Sequence, residues 1–157
     1  MAEWAALELV FAFSCLMAIA FKNKTLAAFF AAVAGCAGIH RFYLRGAHDP
    51  WSWLHLAGLA ATLIGLALVG RGNPVTTLLI SLPLALSVLA GALQALVLGL
   101  TPDEKWDAIY NPASERQTHS NWLLALILVL TLAIGMAGLI FLITRSADLF
   151  ITGGSYG

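Results

Sequence analysis

Long apolar runs leave this chain few ways to fold. Five stretches nearly free of charge follow one another, separated by short segments that carry Lys, Arg, Asp, Glu, Gly or Pro: residues 4–21 (A), 25–39 (B), 51–69 (C), 75–100 (D) and 122–143 (E). A helix needs about 20 residues to cross a hydrocarbon core of about 30 Å. Runs C, D and E meet that length, and D, which contains Pro83, is long enough to tilt or kink. Run A carries Glu8 about one turn inward of Trp4, where a carboxylate still reaches headgroups. Run B would rise only about 22 Å as a helix, short of a comfortable crossing.

Composition points the same way. The chain is 61% hydrophobic and 10% charged, against roughly a quarter charged in soluble domains. Eight basic residues balance eight acidic ones, so there is no net field to attract nucleic acid or an anionic substrate. Cys15 and Cys36 sit inside apolar runs and read as unpaired thiols. Ala18, Ile19 and Ala20 resemble a signal-peptidase site, but Glu3 and Glu8 precede the apolar run and Lys22 and Lys24 follow it. That order of charges predicts an uncleaved membrane helix.

The predicted fold is an all-α polytopic membrane protein, a bundle of four to five hydrophobic helices plus a short interfacial helix. Asp49 and Pro50 supply a cap and a first-turn proline for C. Thr101, Pro102, Asp103 and Glu104 read as a capping box opening a helix that places Trp106, Ile109 and Tyr110 on one face. Trp51, Trp53, Trp106 and Trp122, with Trp4 and Tyr110, fall near segment ends and read as an interfacial belt.

Basic residues favour the cytoplasmic side. With five crossings and the N-terminus outside, Lys22, Lys24, Arg71 and Arg145 oppose Arg41, Arg45, Lys105 and Arg116, four against four. If B dips in and returns, Lys22, Lys24, Arg41, Arg45, Lys105 and Arg116 share the cytoplasmic side, six against two. The count favours a re-entrant B.

Polar and aromatic residues concentrate where B ends: Gly35, Cys36, Ala37, Gly38, Ile39, His40, Arg41, Phe42, Tyr43, Leu44, Arg45, Gly46. Ala31 with Gly35, and Ala34 with Gly38, place small residues four apart and admit a close helix neighbour. His40, Arg41, Tyr43 and Arg45 read as an interfacial anchor or a docking motif. Lys22, Asn23, Lys24, Thr25, Leu26 and Ala27, followed by Gly35, Gly38 and His40-Arg41-Phe42-Tyr43-Leu44, resemble the TM2 domain family. The resemblance covers residues 22–70 and implies that B and C form a membrane helix pair. It divides the chain into an N-terminal membrane helix (1–21), the TM2-like pair (22–70) and two further membrane helices joined by a polar loop (71–157). Arg45 stands where that family has a glycine, which here comes one place later at Gly46, and C lacks the aspartate that often ends the second helix.

Sharper chemistry finds less support. His40, His48 and His55 cluster near one connection, whereas a bis-histidine haem needs imidazoles on facing helices. Asp103, Asp107 and Glu104 share a polar helix better suited to holding water than a cation. Among ionisable or amide groups within the runs, Glu8 and Gln94 are the pointers to a transport path. No P-loop, dinucleotide fingerprint or nucleophile-and-base arrangement is present. Small-residue patches at Ala57, Ala61 and Gly65, at Gly91, Ala95 and Gly99, and at Gly135 and Gly138 suit helix packing within the chain or against a partner. The expectation is a non-catalytic inner-membrane protein without a cofactor. It would dock onto other membrane subunits or onto a second copy; a small transporter or channel is the competing reading.

Overall fold

The computed structural model describes residues 21–69 and 73–154. Residues 4–20 of run A, with Trp4, Glu8 and Cys15, and Arg71 lie outside them. Among the described residues the chain is helical: α1 (Lys24–Ala34), a 3-10 turn (Gly35–Ala37), α2 (Ile39–Arg45), α3 (Pro50–Val69), α4 (Pro74–Leu100), α5 (Asp103–Tyr110) and α6 (Trp122–Ala147), which ends in a π turn (Asp148–Thr152). Among the described residues three helices are long and apolar enough to cross a membrane: α3, α4 and α6 with its π turn.

Local chemistry explains where the helices start. Asn23, Asn73 and Asn121 each cap a helix by accepting from backbone N–H groups, those of Leu26, of Val75 and Thr76, and of Leu124. Pro74 follows its cap at the first helical position, where its missing N–H costs nothing. The predicted capping box at Thr101 is a different arrangement. The Thr101 hydroxyl donates to Val97 O at 2.7 Å, closing α4, so α5 starts behind Pro102 without a side-chain cap. At α3 the Asp49 carboxylate likewise faces Arg41 and the Ser52 hydroxyl.

Helix α4 is central and touches α1, the 3-10 turn, α3 and α6. Both α3 and α6 run antiparallel to it. Thr62 Oγ1 donates to Ile80 O at 3.1 Å, and Gly58 lies against Pro83. On the other side Gly99 meets Leu128 and Gly135 meets Ala92. Gly35 and Gly91 bring α1 and α4 to backbone contact: a Cβ on Gly35 would lie 2.7 Å from Gly91 Cα. The tightest packing is thus between residues without side chains, and the large apolar side chains face outward. Small residues inside and leucines outside are the reverse of a soluble core and the usual arrangement in lipid.

Residues of run B do not continue as one helix. The helix stops at Ala34, and Gly38 turns the chain with φ of 71°, a left-handed conformation glycine adopts without strain. Helix α2 then returns along α1. The Tyr43 ring meets the Phe30 ring at 5.7 Å, and its hydroxyl accepts from Asn23 N at 2.8 Å. The turn stands level with Gly91, nine residues and about 13 Å from the end of α4 at Leu100.

Candidate functional site: a polar knot among the helices

Among the described residues, two networks of buried polar side chains link separate elements. The first ties the α1–α2 hairpin to α3 and α4. From the hairpin come His40, which is 1% exposed, Arg41 and the Cys36 carbonyl; Asp49, Ser52 and His55 come from the start of α3; Ser87 and Gln94 come from α4. Arg41 Nε donates to Asp49 Oδ2 at 2.6 Å, and Nη2 reaches Oδ1 at 3.3 Å, a forked pairing that cancels both charges locally. Its remaining nitrogen, Nη1, donates to Gln94 Oε1 at 3.1 Å.

Donor and acceptor rules fix the protons. A guanidinium only donates, so Gln94 presents its oxygen to Arg41 and its nitrogen to His55 Nε2, at 3.4 Å. Because Gln94 Oε1 is an acceptor, His40 Nε2, 2.6 Å away, carries the hydrogen. The Ser87 hydroxyl has one proton and donates it to Cys36 O at 3.0 Å. His55 Nδ1, 2.5 Å from Ser87 Oγ, is therefore the donor of that pair, and His55 Nε2 keeps the lone pair that accepts from Gln94 Nε2. The two imidazoles stand edge to face at 5.9 Å, and His40 Nδ1 has no hydrogen-bond partner among the described residues.

The second group closes the bundle end where α4 finishes. Asn111 Oδ1 accepts from Lys22 N at 2.7 Å, and Asn111 Nδ2 donates to Lys22 O at 3.2 Å and to Asp107 Oδ1 at 2.9 Å. Trp106 Nε1 donates to the same Lys22 carbonyl at 3.0 Å. Asp103 pairs with Lys24 Nζ at 2.7 Å and accepts from Ser120 N and Oγ; Asp107 accepts from Thr118 N and Oγ1. Burial pushes the Asp103 carboxyl up, but Lys24 and Ser120 outweigh it and hold the group at about 2, below its ordinary 3.8. Thr118 and Asn111 lower Asp107, and burial lowers Lys22. The loop after α5 is thereby tied to the residues that lead into α1.

The residues singled out in sequence fall into several places. Gly35 and Gly38 make the close approach and the turn; His40 and Arg41 face the knot. Phe42 meets Trp53 edge to face at 5.4 Å, Tyr43 binds the start of α1, and Arg45 is exposed. Trp51, Trp53 and Trp122 are exposed, as an interfacial belt requires, and Tyr110 is half-buried. Trp106 corrects that expectation: it is 0% exposed, its ring centroid 4.4 Å from that of Tyr110 in a tilted contact, and hydrogen-bonded to Lys22 O, so it is core. His40 and His55 come together, whereas His48 and His119 are exposed and outside the knot. Among the described residues no three His, Cys, Asp or Glu side chains are placed to share a metal ion. Asp103 and Asp107 hold the following loop rather than solvent alone, and Glu104 is exposed.

Ser52, Ser87, Asn111, the pairing of Asp49 with Arg41 and that of Lys24 with Asp103 were not legible in the sequence. Ser52, Ser87 and Gln94 did carry a signal, as isolated polar residues in apolar runs that need partners when buried. Comparison with protein-family models, with curated proteins and with solved structures returned no match.

Proposed function

We propose that the chain is a non-catalytic inner-membrane protein that works by association, as an accessory subunit of a larger membrane complex or as a self-associating unit. The observation that carries this reading is the division of labour among its small residues. Gly91, Ala95 and Gly99 on α4 are buried within the molecule, while Ala57 and Ala61 on α3 are exposed at helical spacing between Trp53 and Ile64. A small-residue face on a lipid-directed helix gives a second backbone room to approach. The His-Arg-Phe-Tyr segment then acts as internal scaffold, since His40, Arg41 and Tyr43 bind other parts of the same chain.

The reading includes membership of the TM2 domain family, with run B re-entrant in place of the spanning first helix that the resemblance implies. Support for re-entrance is the reversal at Gly38 and the contact of Tyr43 with Asn23, which bring the hairpin's end back beside its start. Lys22, Lys24, Lys105, Arg116 and the hairpin's Arg41 and Arg45 then gather toward one end of the bundle, which the positive-inside tendency makes cytoplasmic.

Disulfide trapping tests the association. In a chain with Cys15→Ser and Cys36→Ser, Ala57→Cys or Ala61→Cys should give one defined cross-linked product in native membranes, and Val97→Cys should give none. A monomer at both α3 positions, together with protein-dependent solute or ion flux in liposomes, would replace this reading with that of a small transporter.

A further inference from the structure

A cavity of about 340 Å³ opens between α3 and α4, lined by Trp51, Leu54, Gly58, Pro83, Leu86 and Ala90, with His55, Ser87 and Gln94 at its polar side. Trp51, Leu54 and Leu86 are each more than half exposed on the outer apolar surface, whereas His55 and Ser87 are buried. The opening therefore faces the lipid-directed surface of the bundle. Its volume falls in the range of small-molecule sites, which are mostly apolar with a few converging polar groups.

The hydrogen-bond inventory of the knot says what those groups still offer. Gln94 Oε1 is filled by His40 and Arg41, but the amide nitrogen has two hydrogens and a single contact, the long 3.4 Å approach to His55 Nε2. His55 Nδ1 is committed to Ser87, and Ser87 to Cys36 O, so the weakest link of the knot at the cavity is that long contact between Gln94 Nε2 and His55 Nε2. One amide donor and one imidazole acceptor thus lie side by side at the cavity. Arg41 is neutralised by Asp49, so no net charge is directed at the site. A single hydroxyl matches this pair: its oxygen accepts from Gln94, and its proton goes to His55 Nε2.

We propose that the α3–α4 cavity binds an uncharged, hydroxyl-bearing lipophile, of the phenol, quinol or lipid-alcohol class, which enters sideways from the bilayer. The hydroxyl bridges Gln94 Nε2 and His55 Nε2, and the apolar body lies along Leu54, Gly58, Leu86 and Ala90. An anionic headgroup is disfavoured, because an imidazole lone pair and an anion repel. A plain acyl chain would fill the walls and leave the pair with only its own 3.4 Å contact.

The test uses the full chain in phosphatidylcholine nanodiscs with a fluorinated long-chain alkylphenol, its methyl ether as the matched non-donor, and 19F NMR as the readout. The phenol should bind saturably and about tenfold more tightly than the ether, the effect of about one net hydrogen bond. Ala90→Phe, which places a ring in the cavity and removes none of the knot's side chains, should abolish binding of both. His55→Phe should bring phenol and ether to equal affinity. Should His55→Phe fail to fold, the Ala90→Phe variant and the phenol-to-ether ratio of the unaltered chain carry the decision. Non-saturable partitioning, equal affinity for phenol and ether in the unaltered chain, or binding unaffected by Ala90→Phe would each overturn the proposal.

Discussion

The molecule holds two polar knots, and they are built on opposite plans. The knot around Gln94 joins side chains on different helices, deep among apolar residues, and its only ion pair is closed on itself between Arg41 and Asp49. The knot around Asn111 joins side chains to backbone, at the end of the bundle, and uses carboxylates to hold a loop. In the first, position is set by helix packing, above all where Gly35 meets Gly91. In the second, the hydrogen bonds themselves set the position of a segment that has no helix to hold it. Disturbing the helices should therefore break the first knot, and removing single side chains should loosen the second.

The largest effect is expected at Gly91. A Cβ there would lie 2.8 Å from Gly35 Cα, so Gly91→Val must push α1 away from α4 and separate the hairpin from Gln94. Overpacking costs typically 1–3 kcal/mol and more where backbone has to move; loss of a cooperative thermal transition in detergent is the expected readout. Gln94→Leu should come next, at about 3 kcal/mol, since it strips Arg41 of one bond and His40 of its only one, leaving the His40 imidazole buried without a partner. A destabilisation below about 0.5 kcal/mol would mean that Gln94 is not the keystone.

Asn111→Ala should cost about 2 kcal/mol and free the loop locally, because three hydrogen bonds, two of them to Lys22 backbone, vanish together. Faster amide exchange confined to residues near 22 and 106–120 would distinguish this from global weakening. A smaller effect follows from Asp103. Its folded value, about 2, is below its ordinary 3.8, so its stabilising contribution is present above about pH 4 and is lost as pH falls toward 2. With solvent screening this is of order 1 kcal/mol. A red shift of Trp106 emission across that window, absent in Asp103→Asn, is the measurement. Gly138→Ala should be near neutral, because a Cβ there meets nothing within 4 Å.

The two knots also differ in how far they could be read in advance. Runs C, D and E became α3, α4 and α6 with little change, since hydrophobic length alone specifies such helices. The shortness of B and its glycines pointed to an irregular element, and the hairpin at Gly38 is that element. His40 and Arg41 stood out by type, but their partners Gln94, Ser87 and His55 lie far along the chain, and no local pattern says which isolated polar residues meet. At the other knot the signs misled. A tryptophan beside a charged segment resembles a belt residue, yet Trp106 is core because a loop folds back over it. Asp103 and Asp107 look solvated in sequence, and Ser120 and Thr118 answer them from across a turn.

The return of the hairpin is the claim on which orientation, knot and cavity all depend. Single cysteines at Gly46, Gln117 and Asn73, in a background with Cys15→Ser and Cys36→Ser, can be labelled in intact and in permeabilised cells with a membrane-impermeant maleimide. The account predicts that positions 46 and 117 react only after permeabilisation and that position 73 reacts in intact cells. Labelling of position 46 from the side opposite to position 117 would contradict it.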